Sequence, residues 1–366
     1  MSNSRTRISL LLAATLLAVA ACGGSTAARK SPTPSPSATF TPGVPTPTPT
    51  PAPLSAPLLV QVENLYQARP QSGLGDAQVI YEYQTEGGIS RFTAIYFGAP
   101  PAADMVGPVR SARLVDLRLL EIWDGALLYS GASDYTLAQL NSSGLKQYSP
   151  NNAVVGSTVL FRTSVPPPAR EYGAPHNLYT NGSELATLAQ KIGLGTVSYQ
   201  LWQRTAIDDL PTGGSAVSAF EVPISTEETP IYTYEAATGE YQRSEPATPE
   251  YPATGMLNDA NTGQPWETPN VVILQVPVIT VPQDNEDSAV TPWVDGLDFG
   301  IGPAASGSGQ LAVGGLLYPI SWSQGTSGPP QFTLADGQPA PLAAGQVTIE
   351  LVPQGDAVTP SAPAAP

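Results

Sequence analysis

Along "AQVIYEYQ" (77–84), Val79, Tyr81 and Tyr83 alternate with Gln78, Glu82 and Gln84. That period of two predicts a strand with one buried face, although Ile80 interrupts the polar side. "TEGG" (85–88) supplies turn glycines and "ISRFTAIYF" (89–97) reads as the return strand, so the segment predicts a hairpin. "PLLVQVEN" (57–64) and "ALLYSG" (126–131) are continuous apolar runs that predict buried strands. In "SARLVDLRLLEIWDG" (111–125) the spacing changes. Leu114, Leu117, Leu120 and Ile122 fall at roughly helical intervals, with Ser111 as the expected N-cap, Leu114 in place of a capping-box Glu, and Gly125 at the end. "SDYTLAQLN" (133–141) and "GSELATLAQKIG" (182–193) predict two more short helices.

Beyond residue 200 the helical signal fades. Short strand-like runs follow, among them "PIYTYEAATGEYQRS", "NVVILQVPVITV", "QLAVGGLLYPISWS" and "AGQVTIELVP". "ATGE" (237–240) and "ADGQ" (335–338) read as hairpin turns. The pattern predicts an α+β protein with a mixed α/β domain over 58–200 and a mostly-β domain over 201–354. The last residues, 355–366, are small and Pro-rich and are expected to be a disordered tail.

The beginning of the chain has a different pattern. Arg5 and Arg7 precede the apolar run "ISLLLAATLLAVAA", which ends at Cys22, the only cysteine of 366 residues. Residues 1–22 read as an export signal, and "VAAC" (19–22) resembles a bacterial lipobox, in which the cysteine becomes lipidated. An ordinary secreted protein cut elsewhere is the alternative. A lipidated Cys22 leaves no thiol for disulfides or catalysis. Its acyl chains, palmitate among them, would supply roughly 0.8 kcal/mol per buried CH₂ toward a membrane anchor. Residues 23–57, dense in Pro, Thr and Ser, are expected to be a disordered linker. Residues 30–57 span about 85 Å at full stretch, at roughly 3.1 Å per residue. The whole predicts an extracytoplasmic, lipid-anchored protein of a bacterial cell membrane.

Charge separates the two halves. Residues 58–200 carry a net charge of −2, residues 201–366 one of −17. With no basic stripe to neutralise phosphates, nucleic acid is excluded as a partner.

Candidate chemistry is sparse. His176 is the only histidine, and no G-x-S-x-G elbow accompanies it. A distant His–Ser pair and a local loop-fixing role with Asn177 are the two readings. No zinc motif is present and no cofactor is expected. The acidic loops "QDNEDS" (283–288) and "NDANTG" (258–263) lack the spacing of an EF-hand. Glu82 and Glu86, with Glu63, are possible acid/base carboxylates for glycan hydrolysis. The stronger pattern is arginine. Arg69, Arg91, Arg110, Arg113 and Arg162 all lie in the first domain, and "GPVRSAR" (107–113) places Arg110 and Arg113 at the start of a helix. Free N–H groups and the positive dipole end favour an anion there, and guanidinium groups grip carboxylate or phosphate with two prongs. Internal pairing with Glu63, Glu82, Glu86 or Asp116 is the alternative.

"VENLYQARPQSGLGDAQVIYEYQTEGGISRFTAIYF", then "GPVRSAR", then "APHNLYT", resembles the YerB-like family of bacterial lipoproteins, whose function is unknown. The resemblance covers 58–195 closely and extends loosely into the second half. It implies a surface-anchored, two-domain protein and no established reaction. Its motifs fall at 69–73, 82, 86–88, 91, 107, 108, 110, 111, 113 and 175–177. The loop before His176, "RTSVPPPAREYGAP", is longer and more Pro-rich than the family pattern. The expectation is an anion seat of Arg110, Ser111 and Arg113, rimmed by Arg69, Arg91, His176 and Asn177. Its ligand would be a cell-wall component or an envelope protein. An enzyme acting on wall glycan or lipid-linked pyrophosphate precursors is the alternative.

Overall fold

The computed structural model describes residues 53–163, 174–245, 255–285 and 295–360. Cys22, the signal and most of the linker lie outside the described residues, as does most of the Pro-rich loop before His176. The predicted elements form in the first half as β1 (Leu58–Glu63), β2 (Val79–Gln84), β3 (Ser90–Tyr96), α1 (Leu114–Trp123), β4 (Ala126–Leu128), α2 (Asp134–Ser143), β5 (Lys146–Tyr148) and α3 (Gly182–Lys191). The second half contributes β6 (Ala219–Glu221), β7 (Ile231–Glu235), β8 (Glu240–Glu245), β9 (Asn270–Val276), β10 (Ser306–Val313), β11 (Leu316–Ser323) and β12 (Val347–Pro353). The fold is α+β, with every α-helix of the described residues before residue 192.

One eleven-stranded sheet runs through both halves, in the order Ser215–Ala216, β11, β10, β9, β12, β2, β3, β1, β4, β5, with Gln331–Thr333 paired to β11. The crossing point is β12. It pairs in parallel with β9 on one side and with β2 on the other, Glu350 lying opposite Glu82. The boundary placed at residue 200 is therefore bridged by a continuous hydrogen-bonded ladder. β6, β7 and β8 belong to a second sheet.

Both faces of the central sheet are covered. Val79, Tyr81 and Tyr83 pack with Val115, Leu119 and Trp123 of α1, while Ile80 and Phe92 pack with Leu185 and Leu188 of α3 and with Trp266. That explains Ile80 on the supposed polar side of β2: the side expected to face solvent is a second core.

Three expectations are corrected. The N-cap of α1 is Arg113 and not Ser111; the later start lets the Asp116 carboxylate accept the Arg113 backbone N–H at 2.6 Å. The linker ends earlier than residue 57, because Leu54–Ser55 pairs with Thr196–Val197 and Ala56 is buried. The tail does not begin at 355: Val358 buries against the second-sheet core, and Thr359–Pro360 pairs with β6. Residues 361–366 lie outside the described residues.

Candidate functional site

β1 and β4 run parallel and then separate, and the chain from Val109 to Ala112 enters the gap. The Arg110 N–H donates to the Gln61 carbonyl (3.0 Å), the Arg110 carbonyl accepts from Ser130 N (2.9 Å), and Ala112 N donates to Gly131 O (2.8 Å). Ligands of open α/β sheets bind in such crevices, at the carboxyl ends of diverging strands. The wedge positions Arg110, Ser111 and Arg113 beside Arg91 of β3.

The arginines meet carboxylates. Arg110 Nε lies 3.0 Å from Glu63 Oε1, in an ion-pair contact without the alignment of a hydrogen bond. His176 Nδ1 lies 3.0 Å from both oxygens of the same Glu63. Arg113 pairs with Glu86. Arg91 is buried, donates from Nη1 to the Ser111 carbonyl at 2.8 Å, and keeps its buried Nε without a hydrogen-bond partner.

Electrostatics show how close the three cations stand. Burial, then the Arg113 charge, lowers Arg91 to about 10; Arg110 adds to the effect, and Glu86 and Glu63 oppose it. Burial alone would raise Glu86, yet Arg113 and Arg91 hold it down to about 2. Asp116 is pushed up to about 6 by burial, against hydrogen bonds from Arg113 N, Thr93 and Tyr83. Its carboxylate also accepts from Gln61, in a buried network under the site.

Other expected site residues lie elsewhere. Arg69 belongs to a second cluster, pairing with Glu228 at 2.5 Å and Glu245 at 3.7 Å, so it does not rim the Arg110 site. Glu82 is fully buried against Arg243, whose Nη2 donates to Glu82 Oε1 at 2.9 Å and whose Nε donates to Glu245 Oε1 at 2.7 Å. A carboxylate locked in that way cannot serve as an acid or base on a substrate, and Glu86, ionised down to about pH 2, is no proton donor near neutrality. Asn177 accepts from Arg162 Nη1 at 2.8 Å. The described carboxylates of the acidic loops accept hydrogen bonds: Asp259 from Gly73, Gly75 and Asn261 N–H groups, and Asp284 from Thr136 and Ser133; residues 286–288 lie outside the described residues.

Arg243 is the residue that sequence reasoning missed. Its ring neighbours are Phe92 (5.1 Å), Tyr232 (5.8 Å) and Trp266 (6.0 Å), and Glu350 lies 3.5 Å from Nη1. Burial and the neighbouring carboxylates push Glu228 and Glu350 upward, while Arg69 pulls Glu228 and Arg243 pulls Glu350 back down. A signal existed: Arg204 and Arg243 are the only basic residues after position 200. The β2–β3 hairpin tip joins the two clusters. Gly88 (φ 76°) accepts from Ser225 Oγ through its carbonyl, and a Cβ there would stand 2.9 Å from Glu227 Cγ.

Comparison with known proteins places this geometry. Residues 45–195 match the protein of unknown function (DUF3048) N-terminal domain, and residues 220–349 match the DUF3048 C-terminal domain. The chain belongs to the DUF3048 family. The wedge 107–113, both glutamates of the hairpin and His176 lie in the DUF3048 N-terminal match, and Arg243 and Glu245 in the C-terminal one. A relative, "Putative lipoprotein YerB" of Bacillus subtilis (strain 168), is 28% identical over 313 residues, 83% of each chain. The crystal structure of the YerB protein from Bacillus subtilis matches with TM-score 0.66 at 26% identity, over 84% of this chain and 94% of that one. The DUF3048 chain described here is thus similar to a lipoprotein, and the family name assigns no function.

Proposed function

We propose that this protein is anchored by lipid at Cys22 outside the bacterial cytoplasm and binds an anionic component of the envelope at Arg91, Arg110 and Arg113. The observation that carries the reading is the state of Arg110. It is 22% exposed and meets Glu63 at Nε, and neither of its terminal nitrogens makes a hydrogen bond among the described residues. That pair of donors matches the two oxygens of a carboxylate or phosphate. Burial is the main cause of the lowered Arg91, and Arg113 and Arg110 add to it, which places three cations together in a chain of net charge −15. Ser111 and His176 border the seat, and Glu63 holds Arg110 and His176 together.

Calorimetric titration with inorganic pyrophosphate tests this. The purified protein is expected to bind saturably, with affinity falling as salt rises. Arg110→Ala is expected to weaken binding about tenfold or more. Absence of heat with pyrophosphate and with soluble wall fragments, or an Arg110→Ala protein that binds unchanged, refutes the reading.

A further inference from the structure

A second cleft, ≈ 380 Å³ in volume, lies where the connection after α3 meets the last third of the chain. Gln200, Trp202 and Gln203 form one side; Gln331, Phe332 and Pro339 form the other. Trp202 is fixed: its ring stacks on Phe332 (5.6 Å, 17° between planes) and meets Trp123 of α1 edge-on at 6.2 Å. Its indole N–H is spent on the Pro330 carbonyl at 2.7 Å. The apolar floor is thus preformed and tied to the central core.

The rim is amide. Gln200 and Gln203 are exposed and make no side-chain hydrogen bond among the described residues. Gln331 uses its amide nitrogen on Pro329 O at 3.1 Å and keeps its oxygen. No charged side chain lines the cleft, in the half of the chain that carries a net charge of −17.

We infer that this cleft binds an uncharged oligosaccharide. A sugar ring presents an apolar C–H face and alternating hydroxyl donors and acceptors. An aromatic and proline floor matches the first, and amides, each with two donors and an acceptor, match the second. A proline-rich peptide also seeks aromatic grooves, but its backbone offers carbonyl acceptors almost alone. The indole N–H best placed to serve such an acceptor is consumed by Pro330. The lining offers no cation for an acidic glycan, because Arg204, 5.9 Å from the Trp202 ring, lies outside it and donates to the Ala343 carbonyl at 3.0 Å. This site is separate from the arginine site and does not rest on it.

The probe is tri-N-acetylchitotriose, titrated calorimetrically into the full-length protein in detergent, with cellotriose as a second uncharged sugar. Saturable binding of either is expected, with Kd at or below about 1 mM. The double variant Gln200→Ala/Gln203→Ala changes only exposed side chains. It is expected to keep its circular dichroism spectrum and lose about tenfold or more in affinity. Arg110→Ala is expected to bind the sugar as the parent does, which separates failure here from failure of the anion site. No binding of either sugar, equal binding by the double variant, or binding of a decaproline peptide but of neither sugar overturns the inference.

Discussion

Replacing Arg243 by leucine is expected to cost the fold about 3–5 kcal/mol, the range for removing one partner from a buried ion pair. The guanidinium is wholly buried, and Glu82, Glu245, Glu228 and Glu350 are buried around it. Burial alone would lower Arg243; Glu245 and Glu82 outweigh it and keep it charged. Without it those carboxylates must take up protons in the interior or open the structure to water. The loss acts across the chain, because Glu82 comes from the first half and Glu245 from the second. Urea denaturation followed by tryptophan fluorescence measures it: the midpoint of Arg243→Leu should fall well below that of the parent, or the variant should fail to unfold cooperatively at all. Arg243→Lys should recover only part, since an ammonium cannot reproduce the planar fork that meets Glu82 and Glu245 together. A midpoint unchanged in Arg243→Leu would mean the cluster contributes nothing net.

What the sequence discloses is what local pattern controls. The β2–β3 hairpin and α1–α3 appear within a few residues of their expected limits, because alternation, helical spacing, turn glycines and the Ser133 cap act over short separations. The insertion of β12 between β2 and β9 leaves no local trace. Glu350 meets Glu82 across hundreds of residues, and nothing in "QVTIELVP" names that neighbour. The same hidden pairing misleads the reading of Glu82. On an alternating strand it looks solvated, and it is buried because the second half covers that face. The candidate site divides similarly. "GPVRSAR" marks Arg110 and Arg113 by position. Their pairing with Glu63 and Glu86 depends on how β1 and the hairpin tip are arranged in three dimensions, and so does the placing of Arg69 in the other cluster.

Arg91 gives the second large effect, with the same sign at neutral and at acid pH. Its folded value, about 10, lies below the ordinary 12.5, so the fold disfavours the charged guanidinium. That cost is present at every pH below about 10 and fades only as the pH rises from there toward 12.5. Arg91→Met fills the same space without the charge, and is expected to stabilise the protein by about 1–3 kcal/mol at pH 7, within what 2–3 pKa units represent. Glu86 works the other way. Its folded value, about 2, lies below its ordinary 4.5, so its contribution is complete above 4.5 and is lost as the pH falls toward 2. Arg91 is one of the two cations that hold Glu86 down, so Arg91→Met should raise the folded value of Glu86. The variant then has less Glu86-dependent stability to lose on acidification, so its advantage over the parent at pH 7 should persist or widen at pH 3.5. Paired urea titrations at pH 7 and pH 3.5 measure both limbs. A variant weaker than the parent at pH 7 would show that Arg91 is held for stability. A variant stronger at pH 7 but impaired in pyrophosphate binding would show a buried cation retained at a cost to the fold because a ligand requires it.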